Sequence, residues 1–357
     1  MKVAVLGAGL IGGSIGLAAR RCVDGVEVAG FGRSSERLEL ARRLGAIDRA
    51  AGSLEDALEG ASICFCCAPV GALEGQIAVA LAAAGEDCVV TDVGSTKGGI
   101  VEAAADPRFV GGHPIAGAET AGVEHACAEL FQGATWYLTP TSATSGVLFE
   151  RLHRFVAALG ARPVAIDAES HDRLLATVSH LPHVLANALV TQAAGALGEE
   201  DAALPRVGPS FRDATRVAGA NSAIWTDIYV ANREAIAAEV DALVGRLRVA
   251  AELLRAGEPE PIAAWNEQAA EARRRLLEAD LAGGVVHELR TTVPNRPGIV
   301  AEVALALGKA GLNIVDMALA PAADMRSGAI TLWIAGDDQA DRARALIGEL
   351  GFPVAEA

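Results

Sequence analysis

A histidine set between glycines and a proline is the first place in this chain where proton chemistry is expected. In the stretch Val110-Gly111-Gly112-His113-Pro114-Ile115-Ala116-Gly117-Ala118-Glu119-Thr120 the glycines let backbone and ligand approach closely, and Pro114 disfavours helix at His113. It reads as a rigid loop presenting one imidazole, which titrates near neutrality and can take a proton from a substrate hydroxyl. The plain alternative is a structural loop histidine. A second cluster, Ser179-His180-Leu181-Pro182-His183, lies inside an apolar helical pattern from His171 to Leu197, with Ser170 as the expected cap. Pro182 cannot donate to the carbonyl of Val178, so a kink is expected, with Ser179 and His183 on one face and His180 beside them. Such a bend suits a ligand wall; satisfied core histidines would look the same. Asp213 and Arg216 lie three apart on a helix beginning near Gly208. They either fix a guanidinium for a bidentate carboxylate contact or form a surface ion pair.

These groups need a frame, and the N-terminus supplies one. Strand Val3–Leu6 runs straight into Gly7-Ala8-Gly9-Leu10-Ile11-Gly12, and a helix of small residues follows. A G-x-G-x-x-G between strand and helix is the turn that brings pyrophosphate onto backbone N–H groups, so Gly7, Gly9, Leu10, Ile11 and Gly12 are cofactor-binding candidates. The second strand, Val26–Phe31, ends in Gly32-Arg33-Ser34-Ser35, where an NAD-preferring fold usually carries a carboxylate. Arg33 welcomes a 2′-phosphate, with Ser34 as a further donor, unless it is simply a solvated turn residue. The cofactor expected is NAD(P)+, leaning to NADP+ or dual use. Strands at Ile63–Ala68, Cys88–Val93, Phe109–Val110, Trp136–Pro140 and Pro163–Ile166 alternate with helices at Leu38–Leu44, Leu73–Ala84 and Lys97–Ala105. Ser95 follows the Cys88–Val93 strand, at the edge where a nicotinamide would lie; it can also cap the helix after it.

Beyond an Asn221-Ser222 cap, one long amphipathic helix carries Ile224, Ile228, Ala231, Val240, Leu243, Leu247, Ala250 and Leu254, a stripe suited to packing between subunits of a homodimer. A charged helix ending in Arg273-Arg274-Arg275 reads as a solvated face, and Ala282-Gly283-Gly284 as a flexible joint. The remainder reads strand, helix, strand, strand, helix, strand, a ferredoxin-like order. Asn295, Arg296, Pro297 and Gly298 stand where its first helix begins. The expected architecture is therefore an α/β Rossmann-like dinucleotide-binding domain at residues 1–166, an all-α domain at 167–281 and a ferredoxin-like module at 285–357.

Composition narrows the function classes. The 357 residues suffice for two or three domains, and a formal charge of -15 without any basic run argues against nucleic-acid or anionic-membrane partners. No segment reads as a membrane span, and the N-terminus reads as strand and turn rather than signal peptide. Cys64, Cys66 and Cys67 lack the spacing of paired zinc hooks and suit a buried strand, so no metal is expected. A reduced, cytoplasmic protein is expected.

Five of these stretches, in this order, resemble the prephenate/arogenate dehydrogenase family with a C-terminal ACT domain. They are Gly7 to Ser14, Asp92-Val93-Gly94-Ser95-Thr96-Lys97-Gly98, Gly111 to Gly117, Ser179 to His183, and Phe211-Arg212-Asp213-Ala214-Thr215-Arg216. The tail resembles an ACT module through Val293 to Gly298 and Gly311-Leu312-Asn313-Ile314. The resemblance implies that prephenate loses hydride from C4 and a proton to His113, then carbon dioxide, giving 4-hydroxyphenylpyruvate. It also implies that Ser95 and Ser179 hydrogen-bond around His113 and the substrate, that His183 contacts the substrate, and that Arg216, held by Asp213, pairs with a substrate carboxylate. Tyrosine would be the effector, bound through Asn295, Arg296, Pro297, Gly298, Asn313 and Ile314. Arogenate would react by the same route and remains an alternative substrate. A non-catalytic nucleotide and amino-acid sensor is more distant, since it has no use for His113 and Arg216. One departure stands out: Gly32 replaces an acidic residue found in many relatives, which argues against strict NAD preference.

Overall fold

The computed structural model describes residues 1–117, 120–197, 207–279, 285–294, 296, 299, 302–303, 306–307, 310, 312, 314–321 and 326–356. The chain divides into two units, Met1–Val244 and Gly245–Ala357.

In the first unit eight strands form one sheet: β1 (Lys2–Leu6), β2 (Glu27–Phe31), β3 (Arg49–Ala50), β4 (Ile63–Cys66), β5 (Val89–Asp92), β6 (Phe109–Pro114), β7 (Thr135–Thr139) and β8 (Arg162–Ala165). Their order is β3-β2-β1-β4-β5-β6-β7-β8. The first six repeat the dinucleotide-binding order, whose ligand crevice opens where the order reverses, between β1 and β4. Alternating side chains of β1 and β4 build two apolar layers. Val3, Val5, Ile63 and Phe65 face one with Ile15, Trp136 and Phe155. Ala4, Leu6, Cys64 and Cys66 face the other with Leu73 and Ile77. The clustered cysteines are free thiols, and Cys64 and Cys66 lie fully buried on this strand. The covering helices are α1 (Leu10–Cys22), α2 (Ser35–Arg43), α3 (Leu54–Leu58), α4 (Val70–Ala83), α5 (Gly98–Ala103) and α6 (Gly146–Ala158). Short β3 and α3, and the amphipathic α6, go beyond the sequence reading.

His113 is not on a loop. β6 continues through Pro114 and pairs antiparallel with β7, placing His113 opposite Tyr137. The glycines before it are what allow this. A Cβ on Gly111 would lie 2.1 Å from the Thr139 hydroxyl, and one on Gly112 would lie 2.6 Å from the Asp92 carbonyl oxygen. The strand thus threads a gap that admits only backbone.

The helical part of this unit starts at α7 (Ala168–Leu175), capped by Asp167, whose carboxylate accepts from the Ser170 N–H; Ser170 is not the cap. A π-turn at Ala176–His180 separates it from α8 (Leu181–Leu197). Pro182 removes one α-helical donor, and the preceding Leu181 N–H reaches back five residues to Ala176. Contrary to the sequence reading, the run Ala168–Ala196 is long and apolar enough, by length and composition, to cross a membrane. Its His171, Asp172, His180, His183 and Asn187 side chains nevertheless bond to neighbouring protein elements, as described below. Next come α9 (Pro209–Thr215), a 3₁₀ turn at Arg216–Gly219, α10 (Ser222–Ala231) capped by Asn221, and α11 (Arg233–Ala256). The single long helix expected after Asn221 is two, broken at Asn232, whose side chain is buried and bonded elsewhere.

The second unit contains α12 (Pro259–Ala279) and four antiparallel strands in the order β10-β11-β9-β12. These are β9 (Val286–Pro294), β10 (Ile314–Pro321), β11 (Ser327–Ala335) and β12 (Val354–Glu356), with α13 (Asp337–Glu349) packed on β9 and β11. Leu289, Val293, Ile330, Leu332, Ala343 and Ile347 are central in its core. Arg273 is not merely solvated: its guanidinium stacks over Trp333, 5.3 Å from the ring centroid. The joint at Ala282-Gly283-Gly284 and the expected effector residues Asn295, Pro297, Gly298 and Asn313 lie outside the described residues. Arg296 is exposed and ion-pairs with Glu302, and Ile314 begins β10 opposite Ile334.

Two glycine substitutions separate packing from propensity. A Cβ on Gly16 would sit 1.8 Å from the Ala46 carbonyl oxygen, whereas one on Gly75 in α4 meets nothing within 4 Å. Gly16→Ala should cost about 1–3 kcal/mol by overpacking, and Gly75→Ala should stabilise by about 0.5–1 kcal/mol. Denaturant unfolding checks both; equal effects would contradict this account of α1.

Candidate active site

The glycine turn is shaped by two constraints and left open at a third point. Gly7 takes a left-handed φ of 113°, and a Cβ on Gly12 would lie 2.2 Å from the Gly7 carbonyl oxygen. At Gly9 a Cβ would meet nothing within 4 Å. Nothing in the protein therefore demands glycine at Gly9, and the open space beside it suits a ligand's pyrophosphate. The first turn of α1, at Leu10 and Ile11, carries no acidic residue, so its N–H groups face that space without a competing charge. At the end of β2, Arg33 is exposed, and Ser34 caps α2 by accepting from the Arg37 N–H. A Cβ on Gly32 would only touch Leu38, at 4.0 Å.

The reactive edge is built on Asp172. Its Oδ1 accepts from the Lys97 N–H at 2.8 Å, and its Oδ2 from the Gly98 N–H at 2.7 Å. It thereby caps α5 from α7, so Ser95 does not; Ser95 sits half-buried in the bend before α5. Burial would raise the Asp172 pKa, but hydrogen bonds from His171 and the two N–H groups outweigh this and hold it below the usual value. An ionised Asp172 can only accept, so the 2.8 Å contact from His171 Nδ1 is a donated N–H. That leaves the lone pair of His171 on Nε2, which lies 2.9 Å from His113 Nδ1. His113 must then carry its proton on Nδ1, and its Nε2 is left bare. The chain Asp172–His171–His113 therefore sets one tautomer at the far end, as a carboxylate does through a single imidazole in hydrolase triads.

A buried ion pair braces this edge. Lys97 and Asp92 are both fully buried and bonded to each other, and Asp92 also accepts from the Gly94 and Gly112 N–H groups at 2.8 and 3.0 Å. The Gly112 bond ties β5 to the residue before His113. Although part of its surface is open, the His113 ring is packed tightly enough that burial lowers its pKa well below 6.5. His171, Lys97 and His180 push in the same direction. It is neutral, and so a base, throughout the neutral range.

A second wall comes from the helices. His183 stacks on Trp225 with ring centroids 3.6 Å apart, and His180 meets the same indole edge-on. His183 Nδ1 bonds to the Tyr229 hydroxyl, with Asn187 3.4 Å from both. The turn bearing Arg216 packs against α8, the helix of His183; Arg216 and Asp213 are exposed. Ser179 is half-buried on the π-turn. Among the described residues His113 bonds to His171, and neither Ser95 nor Ser179 hydrogen-bonds to it. His171, Asp172, Lys97, Asn232 and Trp225 escaped sequence reasoning. The adjacent His-Asp at a helix start was the only visible signal.

Neutral buried histidines make stability depend on pH. Burial lowers His180 to about 4 and His113 well below 6.5, so unfolding releases both to bind protons in mild acid. The contribution of His180 is full above the unfolded value near 6.5 and is lost as pH falls towards 4, by at most about 1.4 kcal/mol per pH unit, and His113 acts in the same direction. Denaturant unfolding at about pH 7 and about pH 5 should show a smaller loss for His180→Phe than for the wild type. Equal losses would contradict the buried-neutral assignment.

Comparison with known proteins agrees with this geometry. Residues 15–165 match the family described as prephenate dehydrogenase, nucleotide-binding domain, and residues 167–268 match prephenate dehydrogenase, dimerization domain. A prephenate dehydrogenase of Bacillus subtilis is 29% identical over 97% of this chain and 96% of its own length. One from Lactococcus lactis is 30% identical over 85% of each chain. The crystal structure of the A. aeolicus prephenate dehydrogenase with hydroxyphenyl propionate and NAD+ superposes with a TM-score of 0.72. It is 29% identical and covers 77% of this chain and 98% of that one. The chain, with its dinucleotide turn and its carboxylate-oriented histidine pair, belongs to the prephenate dehydrogenase family of NAD(P)-dependent oxidoreductases.

Proposed function

We propose that this enzyme oxidatively decarboxylates prephenate to 4-hydroxyphenylpyruvate, with His113 as the base. The observation that carries the reading is the bare Nε2 of His113, imposed through His171 by Asp172. Bound NAD(P)+ supplies the hydride acceptor. Nε2 takes the proton of the 4-hydroxyl as the C4 hydride departs, and the resulting imidazolium is stabilised through His171 by the Asp172 carboxylate. Loss of carbon dioxide then makes the ring aromatic, and the proton returns from His113 to the phenolic oxygen. Aromatisation drives the sequence, so the protein's task is positioning and proton transfer. Ser95 and Ser179 would hydrogen-bond to ligands at this edge, His183 would contact the substrate, and Arg216, steadied by Asp213, would meet a substrate carboxylate. Arogenate reacts by the same route and is the alternative substrate.

The proposed division is a nucleotide-binding domain at 1–166, a helical substrate and dimerisation domain at 167–281 and an ACT regulatory domain at 285–357. The antiparallel sheet order β10-β11-β9-β12, with α13 packed on β9 and β11, supports the last. The match to a dimerization domain and the exposed Ile224, Leu247 and Leu254 support a homodimer. Six free cysteines suit a cytoplasmic enzyme. Tyrosine is the proposed effector of the ACT domain, bound through Asn295, Arg296, Pro297, Gly298, Asn313 and Ile314.

Purified protein with prephenate or arogenate, and NAD+ or NADP+, followed at the absorbance of reduced nicotinamide, tests the reading. Turnover of prephenate, inhibited by tyrosine, is expected; absence of turnover on both substrates would overturn it. His113→Asn should bind cofactor normally but lose about 10²–10⁴-fold in turnover; near-normal turnover would remove His113 from the mechanism. Exposed Arg33 beside Gly32 supports NADP+ or dual use. Gly32→Asp, whose Cβ would meet nothing closer than Leu38 at 4.0 Å, should shift kcat/KM towards NAD+. A wild type already strongly preferring NAD+ would contradict the role given to Arg33.

A further inference from the structure

We infer that His180 donates a hydrogen bond from Nε2 to an oxygen of a bound molecule, and so is a specificity-determining contact of the site. This deepens the function proposed above and rests on it. The side-chain Nδ2 of Asn232 lies 2.8 Å from the Asp172 carbonyl oxygen and 3.2 Å from His180 Nδ1. A carbonyl oxygen only accepts, which fixes the orientation of the amide. Its NH₂ group therefore gives one hydrogen to Asp172 and the other to His180 Nδ1. An amide NH₂ has no capacity to accept, so Nδ1 holds the lone pair and the ring proton sits on Nε2.

That Nε2–H is buried and has no partner among the described residues, in a side chain only 1% exposed. Buried N–H groups are rarely left unpaired, because desolvation without a replacement bond is costly. The surroundings hold the ring to this direction. Trp225 packs edge-on against it at an interplanar angle of 88°, and the chain leaves α-helical geometry through the π-turn that ends at His180. Such π segments recur at functional sites. Burial keeps the ring uncharged at neutral pH. The same imidazole helps lower the pKa of His113, which places it near the reacting edge. The chemistry recognised is a carbonyl or carboxylate oxygen. Two bound molecules could supply it: the substrate, through its carboxylate or keto group, and the cofactor, through its carboxamide.

His180→Phe keeps the ring's bulk and removes the donor; His180→Gln restores an N–H near the Nε2 position. Dissociation constants for NAD+ and NADP+ from titration calorimetry, with KM and kcat for the substrate the wild type turns over, separate the sources. His180→Phe should weaken the ligand it meets by about 10- to 100-fold, and His180→Gln should recover most of that loss. Loss confined to the dinucleotides assigns the oxygen to the carboxamide, and loss confined to substrate KM assigns it to the substrate. Wild-type binding of both by His180→Phe, or failure of Gln to recover what Phe lost, would overturn the inference. Should either variant not fold, a crystal structure of the unaltered enzyme with NAD+ and 4-hydroxyphenylpyruvate decides. A ligand oxygen at ~2.7–3.2 Å from Nε2 is expected, and an Nε2 that meets only water or protein would overturn the inference. Failure of the proposed reaction would appear separately, as a wild type inactive on both substrates.

Discussion

The buried carboxylate of Asp172 holds together parts of the protein that are far apart in sequence. It closes the start of α5 through two backbone N–H groups, receives the ring proton of His171, and through that ring sets the tautomer of His113. Its own carbonyl oxygen takes a hydrogen from Asn232, at the break between α10 and α11. A charge so placed is tolerated because three donors reach its two oxygens; removing a partner from a buried charge network typically costs about 3–5 kcal/mol. Gly98 follows from the same requirement, since a Cβ there would stand 3.0 Å from Asp172 Oδ2. Structure and proton chemistry thus depend on one group.

The Lys97–Asp92 pair complements this arrangement from the sheet side. Asp92 ends β5, and its bonds to Gly94 and Gly112 fix the bend before α5 and the line of β6. Lys97 adds a positive charge that disfavours protonation of His113, and the Asp172 carboxylate stands at the far end of the histidine pair. The outcome is a base that is neutral when substrate arrives and whose cation is compensated once the proton is taken. The glycines around it follow from steric limits: Gly111 and Gly112 pass where no side chain fits.

Much of the frame was legible in the sequence because it depends on local rules. The strand–glycine turn–helix start, the buried run Ile63–Cys66 and the Asn221 cap each follow from residue type and spacing. His113 was legible as a reactive residue, but its place was not. Strand pairing with Tyr137 is a long-range fact, and Gly-Gly before a His-Pro reads locally as loop. His171 and Asp172 lie 58 and 59 positions beyond His113. Their role arises from tertiary contact, which no periodicity reveals. Asn232 was hidden for a related reason: an asparagine inside an apolar stripe reads as a tolerated polar residue, although it ends one helix and joins two parts of the site.

The central claim is that Asp172, acting through His171, leaves Nε2 of His113 bare in the resting enzyme. Nitrogen-15 NMR of the histidine rings in the labelled wild-type protein at neutral pH reads this directly. The account predicts protonated Nδ1 and unprotonated Nε2 in both His113 and His171. A His113 ring protonated on Nε2, or on both nitrogens, would contradict it.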